Sequence, residues 1–251
     1  MDDPHNDEVL SHAEFWDGRY AVAVTGGEGE GNEDNKDNNS AEVKPATDAP
    51  THEWFRSYKD LEPFLAKTLF DRPGWRAVDS PSVLHLGCGD SVIPAELESQ
   101  GYTNQLCVDF SATVINLMSA RYAGRSMRWE QMDVREMGVP SSSVNIAFDK
   151  GTLDAMIHGS PWSPPDDVLD NTGRYLREVY RVLADDGVFV YVTFRQPHFI
   201  KPLFEKSLMT ADGDKGKGAA QEWNMELEIL GGTEGTFNYY GWVIRKGSKT
   251  E

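Results

Sequence analysis

Apolar and polar positions along the 251-residue chain fall into short apolar runs set between helix-spaced stretches. Runs at 82–86, 105–108, 128–132, 145–149 and 187–193 read as strands. Segments 92–99, 112–121, 171–183 and 197–208 read as helices. Regular alternation of strand and helix predicts an α/β fold, a parallel sheet with helices on both faces. Upstream, 58–70 carries Leu61, Phe64, Leu65 and Leu69 at helical spacing, and Arg72-Pro73-Gly74 ends it. Asp185-Asp186-Gly187 reads as the turn into the fifth strand. Near the C-terminus, Trp223, Met225, Leu227 and Ile229 alternate as a half-buried strand does. Residues 236–246, with Phe237, Tyr239, Trp242 and Ile244, read as its hairpin partner. There is no internal repeat.

The flanks follow a different pattern. Residues 1–50 form an acidic region with a short helix near 13–20, on which Trp16 and Tyr20 lie four residues apart on one side. Residues 25–50 are rich in Gly, Asn, Asp and Glu and hold almost no large apolar side chain. Such a segment cannot bury enough surface to offset its ordering entropy, so disorder is expected. The folded domain is expected over 51–247, with a flexible Gly- and Lys-rich insertion at 211–220.

Composition narrows the function. The formal net charge is −17, and residues 1–50 hold thirteen Asp and Glu against three Lys and Arg. An acidic surface repels nucleic acid, whose binding rests on cationic contacts, and steers in a basic protein segment. Simple solubility accounts for the acidic tail equally well. No apolar run is long enough for a bilayer span, so no membrane partner is expected. Two cysteines, Cys88 and Cys107, sit at predicted strand ends and read as reduced buried thiols. With no basic-then-apolar leader, the expected location is the cytoplasm, with the nucleus open. Neither these cysteines nor the six histidines show metal-ligand spacing, so no metal is expected.

The chemistry gathers at strand ends. Val83-Leu84-His85-Leu86 runs into Gly87-Cys88-Gly89, a turn whose glycines let backbone approach a ligand. Asp109 follows Gly87 by 22 positions, close to the spacing of about 20 at which a carboxylate meets ribose hydroxyls. Two further strands end at Asp133 and at Asp149-Lys150-Gly151. A dinucleotide fingerprint wants a third small residue, where this chain has Val92, and no phosphate-loop motif occurs. A ligand with ribose and adenine but no pyrophosphate suits these residues better. S-adenosyl-L-methionine is such a ligand.

Leu86-Gly87-Cys88-Gly89-Asp90-Ser91, Val108-Asp109-Phe110-Ser111, Met132-Asp133-Val134-Arg135 and the run from Asp149 to Ala155 together resemble a known family. It is the seven-β-strand S-adenosylmethionine-dependent methyltransferases. The likeness is closest to the methyltransferase-like branch that methylates lysines of elongation factor 1-alpha or citrate synthase. Phe15-Trp16-Asp17-Gly18-Arg19-Tyr20 resembles that branch's Tyr-Trp-x-x-Arg-Tyr, and Glu53-Trp54-Phe55 its Asp-Trp-Phe. The likeness covers 11–20 and 52–208, and more loosely 223–247. It implies a Rossmann-like seven-strand sheet, mostly parallel, with an antiparallel C-terminal hairpin. It also implies N-methylation of a protein lysine, as in a translation elongation factor.

For the site, the resemblance implies that Gly87 and Gly89 approach the cofactor and that Asp109 accepts from the ribose. Asp133 and the Val134 N–H read the adenine edge, with Phe110 against the ring. Trp16 and Tyr20 form a lid, and Lys150 contacts the cofactor. Plainer readings stand beside these. Asp109 could cap the helix after it, although Ser111 is the better cap. Asp133 could be a solvated strand end, Phe110 an ordinary core aromatic, and Trp16 and Tyr20 simple helix packing. His85 stands where many methyltransferases have an acid and reads best as a satisfied, half-buried histidine. His52 replaces an aromatic. Asp149 and Asp154 are the candidate catalytic carboxylates, and Asp154 with His158 could share a helix face toward the acceptor.

Two other functions stay open. One is a small-molecule methyltransferase, with Trp162-Ser163-Pro164-Pro165 as a lid. The other is a catalytically silent methyltransferase fold that serves as a partner subunit.

Overall fold

The computed structural model describes residues 7–25, 51–209, 222–231 and 238–247. The expectations for 26–50 and for 211–220 lie outside these residues, as do residues 236–237 of the expected hairpin.

Five strands follow one another in parallel: β1 (Val83–Leu86), β2 (Gln105–Asp109), β3 (Arg128–Gln131), β4 (Val144–Lys150) and β5 (Leu183–Thr193). Two more, β6 (Glu222–Ile229) and β7 (Tyr240–Gly247), pair antiparallel. The sheet order is β3-β2-β1-β4-β5-β7-β6, so β7 inserts antiparallel between β5 and β6. The expected seven-strand α/β sheet and its antiparallel hairpin are both present.

The unbroken apolar runs arise because the central strands are covered on both faces. On β5, Phe189 and Tyr191 face a cluster with Leu84, Ala147, Leu176 and Trp242. Val188, Val190 and Val192 face the opposite cluster, with Leu61, Phe64, Ile146 and Phe148. Among the described residues seven α-helices surround the sheet: α1 (Ala13–Thr25), α2 (Tyr58–Leu65), α3 (Ile93–Ser99), α4 (Ala112–Arg121), α5 (Thr152–Ala155), α6 (Asp166–Val182) and α7 (Pro197–Ser207). A third cluster joins Tyr20 of α1 to Cys107 and to Val114, Ile115 and Met118 of α4. Both cysteines are free and buried.

Several boundaries differ from the sequence reading. The first helix continues five residues past Tyr20, to Thr25. The helix expected over 58–70 opens on a capping box between Ser57 and Asp60. It then widens over Ala66–Phe70, where the Asp71 N–H reaches back five residues to the Ala66 carbonyl at 2.9 Å. α6 begins at Asp166 rather than 171, because Asp166 and Asp167 complement the positive end of a helix. β5 begins at Leu183: Val144 pairs with Leu183 and Ile146 with Val188, so the expected turn at 185–187 is a bulge within the strand. Among the described residues no helix is long and apolar enough to cross a membrane.

Candidate active site

β1 ends at Leu86 and the chain turns through Gly87 at φ +62° and Gly89 at φ +51°. A Cβ on Gly87 would meet Thr152 Oγ1 at 2.2 Å, and one on Gly89 would meet the Tyr20 hydroxyl at 2.8 Å. The Thr152 hydroxyl donates to the Leu86 carbonyl at 2.7 Å, tying the ends of β1 and β4 together. Positive φ and close approach both require glycine here.

Beside this turn lies the carboxylate of Asp109, buried at the end of β2. Its oxygens accept from the Gly89 N–H at 3.0 Å and the Ser111 N–H at 3.0 Å. Burial pushes its pKa up to about 6. The capping role belongs to Ser111, whose hydroxyl accepts from the Val114 N–H. Asp17 on α1 in turn accepts from the Ser111 hydroxyl at 2.5 Å, holding the N-terminal helix over this end of the sheet.

A single cavity runs along the carboxyl ends of the strands. Gly87, Gly89 and Asp109 line it. So do Phe110, Asp133 and Val134 beyond β2 and β3, Lys150 at the end of β4 and Asp154 beyond it, and Trp16 and Tyr20 from α1. Four sequence-distant strand ends therefore meet in one crevice, where open α/β sheets bind ligands. Trp16 stacks on Tyr20 with ring centroids 5.9 Å apart, and its indole N–H donates to the Leu10 carbonyl.

Several candidates are committed to other partners. Asp149 does not line the cavity. Its buried carboxylate accepts from the N–H groups of Thr152 and Leu153 and from the Tyr175 hydroxyl at 2.7 Å, so it anchors α5. Burial raises its pKa to about 7. Asp154 lines the cavity, yet its oxygens accept from Tyr191 and Thr193 hydroxyls at 2.8 and 2.6 Å, with Arg195 Nε at 3.5 Å. Burial raises it to about 6. α5 is only one turn long, so Asp154 and His158 share no helix face; His158 pairs with Asp167. Burial pushes Asp133 up, but a bidentate bond from Arg135 outweighs this and holds it below the usual carboxylate range. Lys150 is paired with Glu53 Oε2 at 2.9 Å and donates to the Trp54 carbonyl at 2.8 Å, so its charge is neutralised within the protein.

His85 is fully buried rather than half-buried. Burial lowers its pKa to about 4. Gln105 donates its amide to the Pro94 and Tyr102 carbonyls, so its oxygen must accept, and His85 Nε2 at 2.6 Å carries the proton. Trp162, read as a lid, is 80% exposed, packs on His198 and Phe199 and is absent from the cavity wall.

Residues 84–191 match the family described as methyltransferase domain. The fold is one that methyltransferases share. A crystal structure of an S-adenosylmethionine-dependent methyltransferase from Mesorhizobium loti superimposes with a TM-score of 0.51 at 14% identity, covering 74% of this chain and 97% of that one. The chain is 37% identical over 157 residues to EEF1A lysine methyltransferase 4 of Bos taurus, covering 61% of this chain and 58% of the relative. The mouse protein of that name is 36% identical over 159 residues, covering 62% and 59%. The eEF1A lysine and N-terminal methyltransferase of Danio rerio is 37% identical over 151 residues, 59% of this chain but 20% of that one. The chain thus spans under two thirds of the length of these curated relatives.

Parts of this crevice were missed by the sequence reading. Glu53 accepts from Ser91 Oγ and the Val92 N–H at 2.6 Å as well as pairing with Lys150. Asp90, buried and raised by that burial, accepts from the His52 N–H. Phe194 and Arg195 line the cavity just beyond β5. Position at the carboxyl end of a parallel strand was the signal that could have found the last two.

Proposed function

We propose that this chain is an S-adenosyl-L-methionine-dependent methyltransferase that N-methylates a lysine of a protein, with elongation factor 1A as the candidate substrate. The observation that carries the reading is the crevice: a glycine turn with no room for Cβ atoms beside a buried carboxylate facing the cavity. Relatives named for lysine methylation of EEF1A support the substrate. The methyltransferase domain is taken as 51–247, with α1 packed against it.

The residues fit such a cofactor. Asp109 accepts hydrogen bonds from the ribose hydroxyls, a charge-assisted pairing. Phe110, Asp133 and the Val134 N–H hold the adenine. Gly87 and Gly89 admit the rest of the molecule, and Trp16 and Tyr20 close over it. When bound, the cofactor supplies an electrophilic methyl on an excellent leaving group. The protein then mainly supplies alignment, nearness and exclusion of water. A lysine amine has a reference pKa of about 10.4, so the site must favour its neutral form; burial among apolar side chains does so. Asp149 is spent on anchoring α5, and Asp154 already has three partners. Asp154 therefore orients the amine through its network and is not assigned as a general base. The acidic surface suits a substrate with a basic segment, met in the cytoplasm.

The test is transfer of radiolabelled methyl from the cofactor to purified elongation factor 1A, followed by peptide mapping. Label on a lysine-containing peptide is expected. Label confined to small molecules of a lysate would favour the small-molecule reading. Cofactor binding without transfer to any acceptor would favour the silent subunit.

A further inference from the structure

The Glu53-Trp54-Phe55 segment, whose Trp54 ring meets Trp16 edge-on at 5.8 Å between centroids, is held with unusual firmness. Glu53 is pinned by Lys150, Ser91 and Val92, and the Trp54 carbonyl by Lys150. Phe55 adopts φ +65°, a left-handed backbone that a non-glycine residue keeps only where its surroundings over-determine it. Its ring would lie 3.2 Å from a Cβ on Gly151, itself at φ +98°. It packs against Phe194 at 5.3 Å and against Tyr239 at 5.9 Å between centroids. Trp54, Phe55 and Phe194 all line the cavity, and Phe194 is 44% exposed at its rim.

The order of strands orders the ligand. Adenine and ribose are assigned to the ends of β3 and β2, and the glycine turn to β1. The next strands along the edge are β4 and β5. Strands stand about 4.8 Å apart, so the donor methyl is directed to the ends of β4 and β5, where Gly151, Phe55 and Phe194 stand.

We infer that Trp54, Phe55 and Phe194 wall the methyl-acceptor channel, and that its guest is an unbranched aliphatic stem ending in an amine, the lysine side chain. This rests on the methyl-transfer reading above. Ring walls bury the methylene stem, and ring faces attract the ammonium on entry. Gly151 leaves the space that the Phe55 ring fills, and the clamp on Glu53 supports the strained backbone.

The test uses two binding probes. One is an aza analogue of the cofactor with nitrogen in place of sulfur; the other carries a 2-(butylamino)ethyl chain on that nitrogen instead of the methyl. Calorimetry on the full chain should find the extended probe tighter by about tenfold or more. In Phe55→Asn, whose new residue tolerates positive φ, and in Phe194→Ala, at the exposed rim, that gain should vanish. Affinity for the parent probe should be unchanged in both. No gain in the wild-type protein, or a gain surviving in both variants, overturns the channel. Failure of the parent probe to bind the wild-type protein instead overturns the methyltransferase reading, and the channel with it.

Discussion

The two ends of the crevice are built differently. At the end proposed for the methyl donor, Gly87, Gly89 and Asp109 place main-chain groups and one carboxylate against the cavity, and all lie within 23 residues of sequence. Its hydrogen bonds run between backbone N–H groups and the Asp109 side chain. At the end proposed for the acceptor, rings and charged groups arrive from 53–55, from 150–157, from 191–195 and from Tyr239. That end is held by side-chain networks: Asp154 with Tyr191 and Thr193, and Lys150 with Glu53. A main-chain site tolerates no added atom but needs few particular side chains. A side-chain site depends on many partners, each of modest effect.

The harshest test of that contrast is Gly87→Ala. The new methyl meets Thr152 at 2.2 Å with φ at +62°, so a stability loss of about 3 kcal/mol or more is expected in denaturant titration, together with lost cofactor binding. A variant as stable as the wild type would remove the steric argument for the turn.

The buried carboxylates supply a second test. Asp149, Asp154 and Asp109 have folded-state pKa values raised to about 7, 6 and 6 by burial. Groups raised in this way bind more protons in the native state than in the unfolded state. Their stabilising contribution is present below the unfolded value near 4 and is lost as pH rises through 6 and 7. Stability should therefore fall between pH 4 and 7, by up to about 1.4 kcal/mol per pH unit per proton. Asp149→Asn should flatten that slope, and an unchanged slope would refute the assignment. At the donor end the sign for binding is opposite, since an ionised Asp109 is the better ribose acceptor. Cofactor affinity should rise over the same range.

Asp109→Ala should weaken cofactor binding by roughly 30-fold, the scale of a lost charged hydrogen bond. Calorimetry showing unchanged affinity would sever Asp109 from the ribose. The smallest effect belongs to Trp162→Ala. This residue is 80% exposed and outside the cavity wall, so melting and cofactor affinity should barely move, within about 0.5 kcal/mol. A large loss of activity would revive the lid.

The donor end was legible in the sequence because its chemistry is local. A glycine turn after an apolar run, and an aspartate closing the next run, are marks that parallel-sheet geometry converts directly into a site. Lys150 and Asp154 were legible as positions, but nothing along the chain announces that Glu53 or Tyr191 will reach them. Phe55 carried only its likeness to a motif, with no sign of its backbone strain.

By itself the sequence determined the α/β alternation, the terminal hairpin and the strand ends where Gly87, Gly89 and Asp109 meet. Periodicity and turn chemistry act over a few residues and need no knowledge of the rest. Only the tertiary structure decided which carboxylates are already saturated, which lysine is neutralised and which rings meet beyond β4 and β5. Those outcomes depend on side chains as far apart as Phe55 and Tyr239, whose approach is set by the packing of the whole sheet.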